Sequence, residues 1–290
     1  MIVVCAAASG GAPTSMRTIL VSLVAAAALA LAAASAAGTA GHRAILAALN
    51  AERASNGIPA TVRENAGWSA KCADHVAYMA ETGSFSHKEN PASPKYAASG
   101  SWAGEHSVLA MGSSWQYGDP FANAPLHLIQ LMSPELRQTG VDETTSGYIC
   151  MTTWPGYDPA GWEKPTFYSD PGNGAEGVPY AETADELKFV PGDFVGLPRG
   201  TTTGFNIMVF AEGTADPWHL HIVAATVTGP GGPVEVRTVD RTTPTVGAYL
   251  PPGSGFVIPV APLEPSTTYR ASVRFAGGLR YTWHFRTAEG

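Results

Sequence analysis

The chain has 290 residues, with 17 Lys and Arg against 24 Asp and Glu, and a net charge of −7. That length allows one large domain or two ordinary ones. An acidic chain with no basic run argues against nucleic acid and anionic membrane as partners.

In chain order, Met16-Arg17 opens a short basic region. Residues 19–31 are almost all Ile, Leu, Val and Ala, and Ala34-Ser35-Ala36 offers a small-x-small cleavage site. Residues 1–36 are therefore expected to be a secretory signal peptide, with 1–15 an upstream mis-start or a long leader. The apolar run is too short and too Ala-rich for a membrane span. Cleavage removes only Arg17 among the charged residues and leaves a balance of 16 − 24 = −8. No second long apolar segment follows, so the mature chain is expected to be extracellular and without a transmembrane anchor. Cys5 leaves with the leader; Cys72 and Cys150 remain, and two cysteines in an exported chain are most simply a disulfide.

Ile45, Leu46, Leu49 and Arg53 recur at helical spacing, and Asn56-Gly57 then Pro59 stop that helix. A second helix is predicted over 68–81, with Trp68, Cys72, Val76 and Met79 on one face and Gly83 as its cap. A third is predicted over 121–132, and strands over 140–142 and 148–154. From Pro155 the composition turns to Pro, Gly and Asp, which marks a boundary and a connection over 156–170. Beyond it, short β-type runs at 205–210, 220–227, 234–239, 256–260, 269–275 and 281–286 alternate with Gly/Pro turns, the pattern of an all-β sandwich.

Chemistry concentrates at Phe85-Ser86-His87, Ala103-Gly104-Glu105 and Pro125-Leu126-His127. Two imidazoles and a carboxylate, spaced by roughly twenty residues, allow three readings. They are a zinc set with an open position, a general base beside its carboxylate, or a hydrogen-bonded polar cluster. Trp102 and Trp115 flank the Glu105 segment and are candidates to line an apolar groove. His219-Leu220-His221, with His284, is a weaker possible metal pair against the simpler alternative of solvated side chains. His75 and His106 read as hydrogen-bonding residues. Signatures of the common serine hydrolases, zincins and nucleotide-binding proteins are absent.

The stretch from Leu49 to Pro59, with the three motifs above and Thr139-Gly140-Val141, resembles the CAP superfamily of bacterial type. That is the SCP-like group of cysteine-rich secretory, antigen 5 and pathogenesis-related 1 proteins. The likeness runs over about 45–154 and implies an α+β fold, a three-layer α-β-α sandwich over 42–155. It also implies a cleft lined by two histidines and two acidic residues that in some members holds a divalent metal. His87, Glu105 and His127 carry over; for the second acidic position, Trp115 to Asp119 offers only Asp119. His106 stands where Asn is usual. Residues 171–290 resemble a bacterial immunoglobulin-like β-sandwich at Pro171 to Pro179, Leu263 to Tyr269 and Trp283 to Thr287, which implies a spacer or adhesion module.

The resulting expectation is a secreted, non-catalytic module whose cleft binds a small molecule, a lipid or an extracellular protein. No cofactor is required; a divalent metal, zinc or calcium, is the optional occupant, with His87, His127 and Glu105 as its ligands. The alternative is an extracellular hydrolase of peptide or cell-envelope substrates. It would use His87 or His127 as base, Glu105 as the orienting group, and Ser86 as the nearest hydroxyl.

Overall fold

The computed structural model describes residues 41–159, 165–183, 196–198 and 200–290. The expected signal peptide, Cys5 and residues 160–164 of the expected connection lie outside them. Helix α1, residues 41–55, buries Ile45, Leu46, Leu49 and Arg53 as one stripe. It stops where Gly57 takes φ 71°, a left-handed conformation that side chains resist. After the short strand β1 (Arg63–Glu64), α2 runs Ala66–Thr82. The Asn65 side chain caps its start by accepting from the Trp68 N–H at 3.2 Å, and Gly83 ends it at φ 66°.

The next two elements, α3 (Ala98–His106) and β2 (Ser107–Met111), fall where the sequence predicts nothing regular. Helix α3 buries only Gly100, Ala103 and Gly104, so it carries no apolar stripe to read. Helix α4 is Pro125–Met132 and does not begin at Phe121. The Asp119 carboxylate accepts from the Phe121 N–H at 2.8 Å and holds a turn there, and proline suits the first helical position. Strands β3 (Gln138–Thr139), β4 (Val141–Glu143) and β5 (Tyr148–Thr152) follow. β1 and β3 pair in parallel, and β2-β5-β4 form an antiparallel sheet. The Cys72–Cys150 disulfide ties α2 to β5 as expected, with the Cα atoms 5.4 Å apart. This mixed architecture is consistent with the α-β-α layering that the family resemblance implies.

Within the expected connection, Thr166–Asp170 is a strand, β6, followed by β7 (Ala175–Val178). Six more strands are β8 (Ile207–Glu212), β9 (Ile222–Gly229), β10 (Gly232–Val234), β11 (Val236–Asp240), β12 (Ser254–Pro259) and β13 (Thr268–Phe275). β14 (Arg280–Thr287) completes the described strands. They make a five-stranded sheet, β10-β9-β13-β14-β7, and a four-stranded sheet, β11-β12-β8-β6. The chain changes sheets at Glu235, since Val234 pairs with Val227 but Val236 pairs with Pro259.

The central strands of the four-stranded sheet, β8 and β12, are buried on both faces. Ile207, Val209, Ala211 and Val257 pack with Ile222, Val273, Trp283 and Phe285 of the other sheet. Their alternating neighbours Met208, Phe210, Phe256 and Ile258 share a core with Leu46, Leu49, Leu126 and Leu131 of α1 and α4. Period-two alternation puts successive side chains on opposite faces, so a sheet covered twice needs apolar residues at every position. Polar groups seal the same boundary. Arg137 Nη2 donates to Glu212 Oε1 at 2.5 Å, and Gly172 N donates to Asn56 Oδ1 at 2.7 Å.

Candidate functional site

The segment after α2 is held by a pair of polar side chains with no exposure. His75 Nδ1 is hydrogen-bonded with Glu89 Oε1 at 2.9 Å, and its Nε2 donates to the Ser86 carbonyl at 3.0 Å. Glu89 Oε2 accepts from the Ala97 N–H at 2.9 Å. Buried polar groups need such partners, and here they set the backbone one residue before His87. His87 Nδ1 in turn donates to the Gly104 carbonyl at 2.8 Å, which fixes the orientation of the ring.

His127, half-buried in the first turn of α4, brings its ring against His87. The centroids are 5.9 Å apart and the planes 28° apart. Phe121 lies 6.0 Å from His127 and 6.3 Å from Trp115. Two imidazoles therefore meet above a ladder of apolar rings. Trp115 is packed in the core with Phe121 and so does not line an open groove; its Nε1 has no hydrogen-bond partner among the described residues.

Other sequence-predicted residues part from this pair. Glu105 follows Gly104 but is exposed, and among the described residues its carboxylate makes no hydrogen bond or ion pair with either imidazole. Helix α3 turns Ala103 and Gly104 inward, and Glu105 is the exposed position that follows them. Trp102 belongs to another stack, with His106 at 4.6 Å, Trp68 at 6.4 Å and Lys71 Nζ at 3.8 Å from its ring centroid. His106 Nδ1 donates to the Trp102 carbonyl at 2.7 Å.

Asp119 belongs to a group of carboxylates where α1 meets the β-sheets. Burial raises Asp119 to about 6. Burial, then repulsion from Asp119 and Asp170, raises Glu52 to about 8. Burial, with Glu182 and Asp119 nearby, raises Asp170 to about 7. Nothing in the linear pattern of single acidic residues signalled this grouping. The same holds for His42, whose Nδ1 and Nε2 reach Glu64 at 2.8 Å and Asp142 at 3.0 Å. Its pKa is raised, chiefly by the hydrogen bond to Asp142.

Among the described residues, no group of three or more His, Cys, Asp and Glu side chains is placed to hold a metal ion. His87 and His127 supply two nitrogens, fewer than the three protein ligands of a catalytic zinc. No metal chemistry is assigned to the set. His219 and His221 do not share a strand face either. His219 closes the turn Pro217–His219 and His221 lies just before β9, and each pairs with its own carboxylate: His219 with Asp216 at 2.9 Å, His221 with Asp240 at 2.8 Å. His284 is on β14, with β13 between that strand and β9. A cavity of about 430 Å³ opens between β9 and β11, lined by Ile222, Val223, Val236, Arg237 and neighbours; none belongs to the imidazole site.

Residues 46–151 match the family model described as CAP, the cysteine-rich secretory protein family, and this supports a CAP superfamily domain over that part of the chain. No curated protein matches the sequence. Among the described residues, no helix is long and apolar enough to cross a membrane.

Proposed function

We propose that the CAP-type segment is a non-catalytic, extracellular binding module that takes a small amphipathic ligand at the His87–His127 pair. One observation carries the reading: two imidazoles, one exposed and one half-buried, stand in ring contact over the buried Phe121, and an imidazole is itself amphipathic, with an apolar ring face and a polar edge. A general base is oriented by a neighbouring carboxylate or metal. Among the described residues Glu105 makes no hydrogen bond or ion pair with either ring, which favours binding over hydrolysis. The leader features of residues 16–36 and the Cys72–Cys150 disulfide support export.

The test is titration of the oxidised protein with oleate, followed by calorimetry. Saturable binding is expected for the native chain and should vanish in His87→Ala/His127→Ala. Equal heats from both proteins would overturn the proposal. Turnover of peptide or cell-envelope substrates that disappears in Glu105→Ala would install the hydrolase reading instead.

A further inference from the structure

Between Glu264 and Glu289 the chain carries four arginines and no acidic residue, although its net charge is −7. No two of these arginines are adjacent in sequence. Sheet pairing assembles them: β13 and β14 place Thr268 opposite Arg286, Arg270 opposite His284, Ser272 opposite Thr282, and Arg274 opposite Arg280. Burial alternates along both strands. The partners Tyr269, Ala271, Val273, Trp283 and Phe285 face the core, while Arg270, Arg274, Arg280, His284 and Arg286 are exposed on the opposite face.

Next to β13, the strand β9 adds Thr226 and Thr228 opposite Ser272 and Arg270. Glu176, on the edge strand β7, is the only acidic residue in the sheet's five strands. Among the described residues none of the four arginines makes an ion pair or side-chain hydrogen bond. Arg274 and Arg280 are directly opposite, an arrangement that costs stability when the charges are alike. A fold that keeps two guanidinium groups face to face, unneutralised, presents them to something else.

We propose that the exposed face of β13 and β14 is a binding surface for an extended anionic polysaccharide. At about 3.4 Å per residue the basic positions from Arg286 to Arg280 span about 20 Å, and the hydroxyl pair Ser272–Thr282, itself hydrogen-bonded at 3.0 Å, lies between the charged ends. Guanidinium groups grip carboxylate and sulfate oxygens two at a time, and hydroxyls between them match the sugar hydroxyls of a carbohydrate chain. The exposed positions of these two strands carry no Phe, Tyr or Trp, and the single His284 ring is not a run of stacking platforms of the kind single-stranded nucleic acid uses. They carry no large apolar side chain either, which removes the wedge a lipid surface would take. This surface is separate from the imidazole site and does not depend on it.

The experiment measures binding of the oxidised full chain to immobilised alginate, a polyuronate, with dextran as the neutral control. Binding is expected at low salt, should weaken steeply as salt rises because counterions are released, and should fall about tenfold or more in Arg274→Ser/Arg280→Ser. Arg274→Lys/Arg280→Lys, which keeps the charge but not the two-point grip, should fall in between. His87→Ala/His127→Ala should bind alginate as the native chain does. No binding by the folded native chain, or undiminished binding by both double-arginine variants, overturns the proposal. So does tighter binding to single-stranded DNA or to phosphatidylglycerol vesicles than to alginate.

Discussion

Gly104 lies against His75 so closely that a methyl group on its α-carbon would come within 2.5 Å of His75 Cε1 and 2.5 Å of the His87 carbonyl oxygen. One glycine thus lets α3 approach α2 while its own carbonyl holds the His87 ring. Gly104→Ala must push the buried His75–Glu89 pair or the His87 backbone aside. A loss of about 1–3 kcal/mol in urea unfolding is expected, together with weaker ligand binding at His87. Native stability in this variant would show that the packing is looser than described.

The disulfide closes a loop across 78 residues of sequence. By loop-closure entropy it should contribute about 4–5 kcal/mol. Cys72→Ala/Cys150→Ala should lower the urea midpoint accordingly. Native protein should resist thiol labelling at both positions until it is reduced.

The carboxylates at the boundary of α1 and the β-sheets make stability depend on pH. Glu52, Asp119 and Asp170 hold their protons in the fold up to about 8, 6 and 7, against ordinary values of 4.5, 3.8 and 3.8. The native state then binds more protons than the unfolded one, so their contribution is most favourable below about pH 4 and declines as pH rises through 6 to 8. Glu52→Gln and Asp170→Asn should flatten that decline and raise stability at pH 8, each by about 1–2 kcal/mol. Urea midpoints measured from pH 4 to 9 provide the check.

His42 bridges Glu64 on β1 and Asp142 on β4. Its raised pKa means that the imidazolium form is favoured in the fold. The stabilisation is complete below about pH 6.5 and is lost as pH climbs through the raised value. A proton NMR titration of the His42 ring should give a midpoint above 6.5. Asp142→Asn should bring it down further than Glu64→Gln, because the Asp142 hydrogen bond is the larger influence.

Much of the helical part was legible because its signals are local. The stripe Ile45, Leu46, Leu49, Arg53 and the stop at Gly57, or the span of α2 and its cap at Gly83, follow from 3.6-residue periodicity and from backbone angles only glycine takes freely. Helix α3 was invisible: what it buries is glycine and alanine, and the absence of side chains is what packs. The strand Thr166–Asp170 was hidden in a Pro/Gly-rich stretch. Its register comes from β8, whose residues pair with it from 208 to 212.

Site residues divided in the same way. His87 and His127 stood out as imidazoles in a segment with few charges, and their rings do meet. Glu105 had the same linear credentials, yet it is exposed and makes no hydrogen bond or ion pair with either ring among the described residues. His75 and Glu89 looked ordinary and prove to be the buried pair that positions His87.

Residue order by itself determined the elements whose periodicity lies within a few turns, and the candidate list of imidazoles, carboxylate and cysteines. Only the tertiary structure decided which of those side chains touch. It also decided that the central strands of one sheet are covered on both faces, and that four scattered arginines become a single surface. The physical reason is range: capping and amphipathic spacing act between near neighbours along the chain. Strand register and helix approach are set by packing between segments up to a hundred residues apart, which no local pattern encodes.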